Sequence, residues 1–161
     1  MMERIDELMK AYSLETHPEG GSFAEVWESS ECRDGRPLAG SIYFLLKGEE
    51  ISHLHVIDCD EVWYYHEGCG MEIVCVDPKG RVERIPLGPD PEKGQRMMTA
   101  IPAGVIFGAR NLDPKGYTFV SCATAPRFTY EGFRLVRSAE MEKLCPGEMP
   151  GLLRMIQPDE P

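Results

Sequence analysis

The chain has 161 residues, of which 42% are hydrophobic and 27% charged, a composition typical of a folded globular domain. Its 27 acidic and 17 basic residues give a formal net charge of −10, which argues against a nucleic acid partner because a polyanion would be repelled. No apolar run reaches the roughly 18 residues of a membrane span, and the charged start MMERIDELMK is unlike a signal peptide. We therefore expect one cytoplasmic domain over residues 1–161, without membrane contact.

The N-terminal segment predicts a short amphipathic helix. Ile5, Leu8, Met9 and Tyr12 recur at the spacing i, i+3, i+4 and i+7, which places their side chains along one helix face. Near the other end, Ser138 precedes AEMEKL and predicts the start of a second short helix.

Between these helices the sequence changes to short runs rich in Val, Ile, Phe and Tyr, each closed by Gly, Pro or Asp. The runs predict eight or more strands: SIYFLLK, ISHLHVI, EVWYYHE, MEIVCV, RVERIPL, MMTAIPAGVIFGA, YTFVSCA and FRLVR. No helical pattern of ten or more residues separates them, so parallel βαβ crossovers are excluded. The predicted fold is all-β, an antiparallel double-sheet jelly roll whose core covers about residues 20–137.

Residues 51–70, ISHLHVIDCDEVWYYHEGCG, hold three of the four histidines of the chain. Alternate side chains of an extended strand share a face, so His53 and His55 are predicted to point the same way. After the turn DCD, Glu61 begins the next strand, and His66 falls on the opposite face of that strand. The pattern predicts that His53, His55 and Glu61 converge on one polar spot, from which His66 faces away.

The spacing of these residues resembles a cupin motif. His-x-His, five residues, Glu, six residues and Gly is similar to the first motif of the cupin superfamily. The segment PAGVIFGARN is similar to the second motif: Pro102, Gly104 and Asn111 match it, while Phe107 stands where that motif has a histidine.

Five blocks, in order along the chain, resemble the Cupin_5 family of small cupin domains. They are HPEGGSFAEVW at 17–27, SIYFLL at 41–46, DEVWYYHEG at 60–68, IPAG at 101–104 and VSCATAPRFTYEGFRL at 120–135. The resemblance implies a single cupin barrel that binds a small-molecule ligand, and it implies a homodimer. The apolar block SIYFLL also favours a homodimer, because it offers more apolar surface than one strand face needs.

Two imidazoles and one carboxylate form a ligand set that leaves metal positions open for substrate. Such a set suits a divalent Fe, Ni, Mn or Zn ion. A metal-dependent cupin enzyme using His53, His55 and Glu61 at the barrel mouth is therefore one hypothesis.

A metal-free isomerase or epimerase acting on a carbohydrate-like substrate is the alternative. It would use His55 as general base and Tyr43 or Tyr65 as general acid, since proton abstraction needs a group that titrates near neutral pH. A third hypothesis is a binding module that holds a small molecule without chemistry.

The remaining assignments concern the walls of the pocket. Phe23, Trp63 and Phe107 are predicted to line it, and Glu25 could reach it from the same strand face as Phe23. His17 lies in the glycine-rich turn HPEGG, which predicts a loop residue rather than a ligand.

Overall fold

The computed structural model describes residues 1–158. Its helices are α1 (Met2–Ala11), α2 (Ser138–Leu144) and α3 (Met149–Leu152). The strands are β1 (Glu15–Thr16), β2 (Ser22–Glu28), β3 (Cys32–Arg33), β4 (Arg36–Pro37), β5 (Gly40–Lys47), β6 (Ile51–Ile57), β7 (Asp60–Gly68), β8 (Met71–Val76), β9 (Val82–Leu87), β10 (Met98–Ile101), β11 (Ile106–Asn111), β12 (Tyr117–Ala125) and β13 (Phe133–Leu135). No helix in the described residues is long and apolar enough to cross a membrane.

Two sheets form the body of the fold. One has six strands in the order β1-β2-β5-β12-β7-β10, and the other has five in the order β13-β6-β11-β8-β9. Paired strands in both sheets are antiparallel, while β3 and β4 form a separate hairpin. The predicted antiparallel double-sheet jelly roll is confirmed, although the hydrogen bonds join the strands into two sheets rather than one closed barrel.

The main core lies between the two sheets. Alternating residues of each strand point into this space, as expected for a half-buried strand. The fully buried side chains there include Phe44, Leu46, Trp63, Ile73 and Phe107.

Helices cover the outer faces of both sheets. Leu8 of α1 packs with Leu45 and Phe119 on the six-stranded sheet. Residues of the C-terminal segment, such as Met141 and Leu152, pack on the five-stranded sheet. Strand β5 is thus apolar on both faces because each face is covered within one chain, so its apolarity does not require a dimer.

A β-bulge in β6 decides which side chains face inward. Phe107 pairs with His55, whereas Ala109 pairs with Ser52, so three residues of β6 span two residues of β11. The extra residue reverses the alternation, and Ser52 and His55 both face the interior. The prediction that His53 and His55 share a face is therefore wrong: His53 lines a separate surface groove beside Gly20 and Lys47.

Candidate active site

A cleft opens at one end of the sandwich, where the turn after β1 meets strands β2, β5, β6, β7 and β12. Its cavity volume is about 50 Å³, and the space between its lining atoms rises to about 570 Å³ when the open solvent at its mouth is counted. Its lining residues are His17, Glu19, Phe23, Glu25, Trp27, Gly40, Ser41, Ile42, His55, Ile57, Glu61, Cys122, Thr124, Arg127 and Phe128. Of the predicted site residues, His55, Glu61, Phe23 and Glu25 reach this cleft.

The floor of the cleft is built around Glu19. Ser52 Oγ donates to Glu19 Oε1 at 2.7 Å, and Glu19 Oε2 lies 3.0 Å from His55 Nε2. The backbone carbonyl of Glu19 accepts from the amide of His53 at 2.7 Å and from its Nδ1 at 2.8 Å. Strand β6 therefore holds Glu19 through both its side chain and its backbone.

Gly20 allows this close approach of the turn to β6. Its φ is +105°, and a Cβ at this position would overlap the carbonyl oxygen of Ile51. A residue with a side chain would be strained in this conformation and would also push the turn away from the strand. The glycine thus fixes the position of Glu19, its neighbour in the chain.

The hydrogen bonds of His55 define where its protons lie. His55 Nδ1 is 2.7 Å from the carbonyl oxygen of His53, and a carbonyl only accepts, so Nδ1 carries a hydrogen. In the neutral ring Nε2 is then an acceptor, and its contact with Glu19 requires a proton from the carboxyl group. Burial lowers the pKa of His55 to about 4 and raises the pKa of Glu19, so the shared proton belongs to Glu19.

His17 forms another part of the floor. Its Nδ1 accepts from the backbone amide of Glu19 at 3.2 Å, and its ring meets that of Phe23 edge-on at 4.6 Å between centroids. Burial lowers the pKa of His17. His17 does lie in a turn, as predicted, but the sequence pattern did not indicate that its ring is buried in the cleft. Glu19 was missed too, and the signal for both was the HPEGG block.

Glu61 reaches the cleft from the start of β7 and is only 7% exposed. Burial raises its pKa to about 8, and the nearby Glu19 adds to the shift. The carboxyl is therefore largely protonated at neutral pH. Trp63 lies behind it, and its indole N–H and the Cys122 thiol both lower the pKa of Glu61. Within residues 1–158, no acceptor lies in hydrogen-bond geometry with Trp63 Nε1.

Besides His53, four of the predicted site residues lie outside the cleft. Tyr43 packs on the outer sheet face, with its ring 4.5 Å from that of Tyr12, and the Tyr65 hydroxyl donates to the carbonyl of Gly68 at 2.8 Å. Neither tyrosine can act as general acid in the cleft, because β5 turns Tyr43 outward and Tyr65 lies farther along β7. Trp63 and Phe107 belong to the core, and the Phe107 ring supports His55 from behind at 4.2 Å between centroids.

His66 lies on the outer face of the six-stranded sheet, as the alternation predicts. Its Nε2 is 2.8 Å from Ser121 Oγ, and its ring packs near Tyr43.

The predicted metal ligands do not fit a metal ion. The bulge directs His53 to the separate groove, and both ring nitrogens of His55 are already engaged, with a carbonyl and with Glu19. Within residues 1–158, no group of three or more His, Cys, Asp or Glu side chains is arranged to hold a metal. The geometry therefore supports no chemical step through a metal at His53, His55 and Glu61.

Charged residues border the mouth of the cleft. Arg127 pairs with Glu25 at 3.0 Å and with Glu28 at 2.8 Å. Arg36 Nε donates to the carbonyl of Arg127 at 2.7 Å, while its guanidinium pairs with Asp58 at 2.8 Å. Arg127 is thus held at the rim by contacts with its side chain and its backbone.

Comparisons with known proteins agree with this fold. A crystal structure of a protein from Shewanella oneidensis is similar at 32% identity with a TM-score of 0.91, over 96% of this chain and 98% of that one. A hypothetical protein from Leishmania major is similar at 30% identity with a TM-score of 0.87, over 95% of this chain and 98% of that one.

More distant structures share the fold alone. A point mutant of Bacillus subtilis oxalate decarboxylase is 22% identical with a TM-score of 0.56, over 74% of this chain and 29% of that one. No curated protein matches the chain. The Cupin_5 family, described as Cupin superfamily (DUF985), matches residues 6–136. The chain therefore belongs to the Cupin_5 family of the cupin superfamily.

Proposed function

We propose that this cupin binds a small carbohydrate-like molecule in the cleft and moves protons on it without a metal, as an isomerase or epimerase does. The observation that carries the proposal is the pairing of Glu19 with His55 in a cleft that also contains Glu61. These groups give the cleft two carboxyls that hold protons in an otherwise largely apolar surrounding.

The acid–base roles follow from the electrostatics of the floor. A general acid or base works best when its pKa lies near the working pH, and the pKa of Glu61 is about 8. In its ionised form Glu61 would take a proton from a carbon next to a carbonyl group. The Glu19 carboxyl, oriented by Ser52 and His55, would give its proton to the carbonyl oxygen, and the reverse transfers would complete the isomerisation.

The walls of the cleft suit a polyhydroxylated ligand. Phe23, Trp27 and Phe128 provide apolar surfaces on which the carbon face of a sugar ring can stack. Ser41 and Thr124 add hydroxyl groups among these apolar walls. Aromatic walls with a few polar groups are typical of small-molecule sites.

Deuterium exchange tests the proposal directly. The protein is incubated with aldoses and ketoses in D₂O that contains EDTA, and NMR follows deuterium uptake at the carbon next to the carbonyl. We expect Glu61→Gln to slow exchange by about 100-fold or more, as the loss of a general acid–base group does.

Tyr43→Phe and Tyr65→Phe are the matched controls, and they should exchange at the wild-type rate. Exchange that EDTA abolishes, or that is unchanged in Glu61→Gln, would contradict the proposal. Sugar binding without exchange in the wild type would instead support a binding module.

A further inference from the structure

The cleft narrows sharply between its mouth and its floor. The carboxyl groups of Glu19 and Glu61 lie at the floor, where the cavity volume is only about 50 Å³. Because a water molecule needs about 10–15 Å³ of such space, the enclosed part has room for roughly three to five non-hydrogen atoms. A sugar ring with its hydroxyl groups has more than twice as many. Only the end of a molecule can therefore reach the two carboxyl groups.

Phe128 forms one of the walls that narrow the cleft, and its position is fixed. Its backbone amide donates to Thr124 Oγ1 at 2.9 Å. Its ring packs edge-on against the rings of Tyr130 and Phe133, at 5.1 and 5.8 Å between centroids. The Phe133 ring in turn lies 5.5 Å from the ring of His55. The wall thus belongs to the same aromatic cluster that supports His55, and it cannot move outward without losing these contacts.

Arg127 narrows the mouth next to this wall. Its backbone amide donates to the carbonyl of Pro37 at 3.1 Å, and its side chain pairs with Glu25 and Glu28. Gly40 makes room for the side chain, since a Cβ at Gly40 would lie 2.8 Å from Arg127 Cγ. The arginine side chain therefore lies against the start of β5, and its contacts keep the entrance narrow.

We infer that the substrate of the cleft reacts in its open-chain form, at the end of the chain, and that Phe128 and Arg127 set this limit. The inference rests on the proposed function and names its substrate class: hydroxy-aldehydes and hydroxy-ketones that interconvert at the first and second carbons. The chain end would reach the floor while the rest of the molecule lies along Trp27, which is 57% exposed at the mouth. Epimerisation at a ring carbon would need the whole ring to enter the enclosed space.

The reaction balances on the two carboxyl groups of the floor. In a hydroxy-aldehyde, ionised Glu61 would take the proton from the second carbon while Glu19 protonates the carbonyl oxygen, which leaves an enediol. Glu61 would then return its proton to the first carbon, and Glu19 would recover one from the hydroxyl of the second carbon, whose oxygen becomes the new carbonyl. No oxidant or other reactant is needed, and only these carbons and their oxygens have to reach the floor.

Two probes with the same number of carbon atoms separate chain from ring. In D₂O with EDTA, NMR follows deuterium uptake at the hydroxyl-bearing carbon of 1-hydroxy-2-hexanone, an open chain, and of 2-hydroxycyclohexanone, a ring. Each rate is expressed relative to the exchange without protein. We expect the open-chain probe to gain about tenfold or more over the ring probe, because even one misfitting methylene group in a pocket costs about that factor. Equal gains would overturn the inference.

Variants test whether the two side chains set the limit. Phe128→Ala removes the ring from the wall, and Arg127→Ala removes the side chain from the rim; circular dichroism checks each fold, and Phe128→Leu replaces a Phe128→Ala protein that does not fold. At least one variant should reduce the preference for the open chain to about twofold or less. Tyr12→Ala removes a ring from the outer face of the six-stranded sheet and should keep the wild-type preference. Folded variants at both positions that keep the preference would reject the inference.

The failure of this inference and that of the proposed function give different results. Exchange of both probes with equal gains would reject the open-chain limit and leave the proton-transfer proposal intact. If neither these probes nor the aldoses and ketoses exchange, the proposed reaction is wrong, and titration of both probes by saturation-transfer NMR decides the size limit. A ring probe that binds as tightly as the open chain would then reject the limit, and tighter binding of the open chain would support it.

Discussion

Glu19 Oε2 and His55 Nε2 lie 3.0 Å apart, and burial raises the pKa of the carboxyl group while it lowers the pKa of the imidazole. The carbonyl of His53 fixes the tautomer of His55, and Ser52 donates to the other oxygen of Glu19. The pair is therefore neutral as a unit, which lets the protein bury a carboxyl group and an imidazole together at low cost. Residues of β6 hold this unit in place.

Removing the hydroxyl of Ser52 should destabilise the protein. Ser52→Ala leaves Glu19 Oε1 buried without its donor, and an unsatisfied buried acceptor costs about 1–3 kcal/mol. Urea denaturation measures the loss of unfolding free energy. Ser121→Ala is the matched control, because the hydrogen bond of Ser121 Oγ is to the exposed His66, so its loss should be smaller. Equal losses in the two variants would show that the hydrogen bond to Glu19 has no special role.

Glu61 should make stability depend on pH. Its pKa is about 8 in the folded protein and 4.5 ordinarily, so the folded state binds the proton more tightly. The contribution of Glu61 to the free energy of unfolding is fully present below about pH 4.5 and is lost as pH rises toward 8. Between pH 5 and pH 9, the free energy of unfolding, measured by urea denaturation, should fall by about 2–4 kcal/mol less in Glu61→Gln than in the wild type.

The control for this measurement is Glu49→Gln, which removes an exposed charge and should follow the wild-type pH dependence. If Glu61→Gln also followed the wild-type pH dependence, Glu61 would be ionised in the folded protein.

Gly20 should tolerate no side chain. Gly20→Ala would place a methyl group on the carbonyl of Ile51 in a left-handed conformation, so we expect a loss of about 3 kcal/mol or more in unfolding free energy. Gly94→Ala is the control, since Gly94 also has a positive φ of +73° but no atom within 4 Å of the place that a Cβ would take. That variant should lose only about 1–2 kcal/mol. Thermal or urea unfolding of both variants makes the comparison, and similar losses would argue against close packing of the turn.

Removing metals should leave the protein unchanged. Because His53 is directed away from His55 and Glu61, EDTA is expected to leave the melting temperature of purified, untagged protein within about 1 °C. The contradicting result would be stoichiometric metal in the wild-type protein that is absent from the triple variant His53→Ala, His55→Ala, Glu61→Gln while the variant remains folded.

The homodimer stays a prediction, and the structure suggests a surface that could form it. Tyr64 and Met98 are paired neighbours on β7 and β10, and both are exposed, at 41% and 48%. Sedimentation velocity at high micromolar concentration should show a dimer that Met98→Lys weakens, because a charge there would have to be desolvated. Leu153→Lys, at an exposed apolar position of the C-terminal segment, is the control. A wild-type monomer at this concentration would exclude the dimer.

The sequence predicted the fold well because the strand signals are local. Alternation placed Glu61 inside and His66 outside, and the N-terminal stripe of α1 was correct because helical spacing fixes which residues share a face. Ordered family blocks then identified the jelly roll, which alternation alone does not distinguish from other β-sandwiches.

The site was harder to predict because it depends on strand register and on contacts between residues that are far apart in the sequence. The bulge in β6 reverses the alternation between Ser52 and His55, and nothing in ISHLHVI marks where the extra residue lies. Glu19 lies in a turn, and its role appears only when that turn packs against β6. The chemistry of the phenol makes Tyr43 and Tyr65 candidates for a general acid, whereas strand register and position along the strand decide where their side chains lie.

The C-terminal segment lies beyond the residues that the family model matches. The family match ends at residue 136, yet Met141, Leu152 and Met155 are fully buried against the outer face of the five-stranded sheet. That sheet contains β6, the strand that positions both Ser52 and His55. The unit that must fold together is therefore larger than the span matched by the family model, and changes in these last turns can reach the cleft through the back of the strand that supports it.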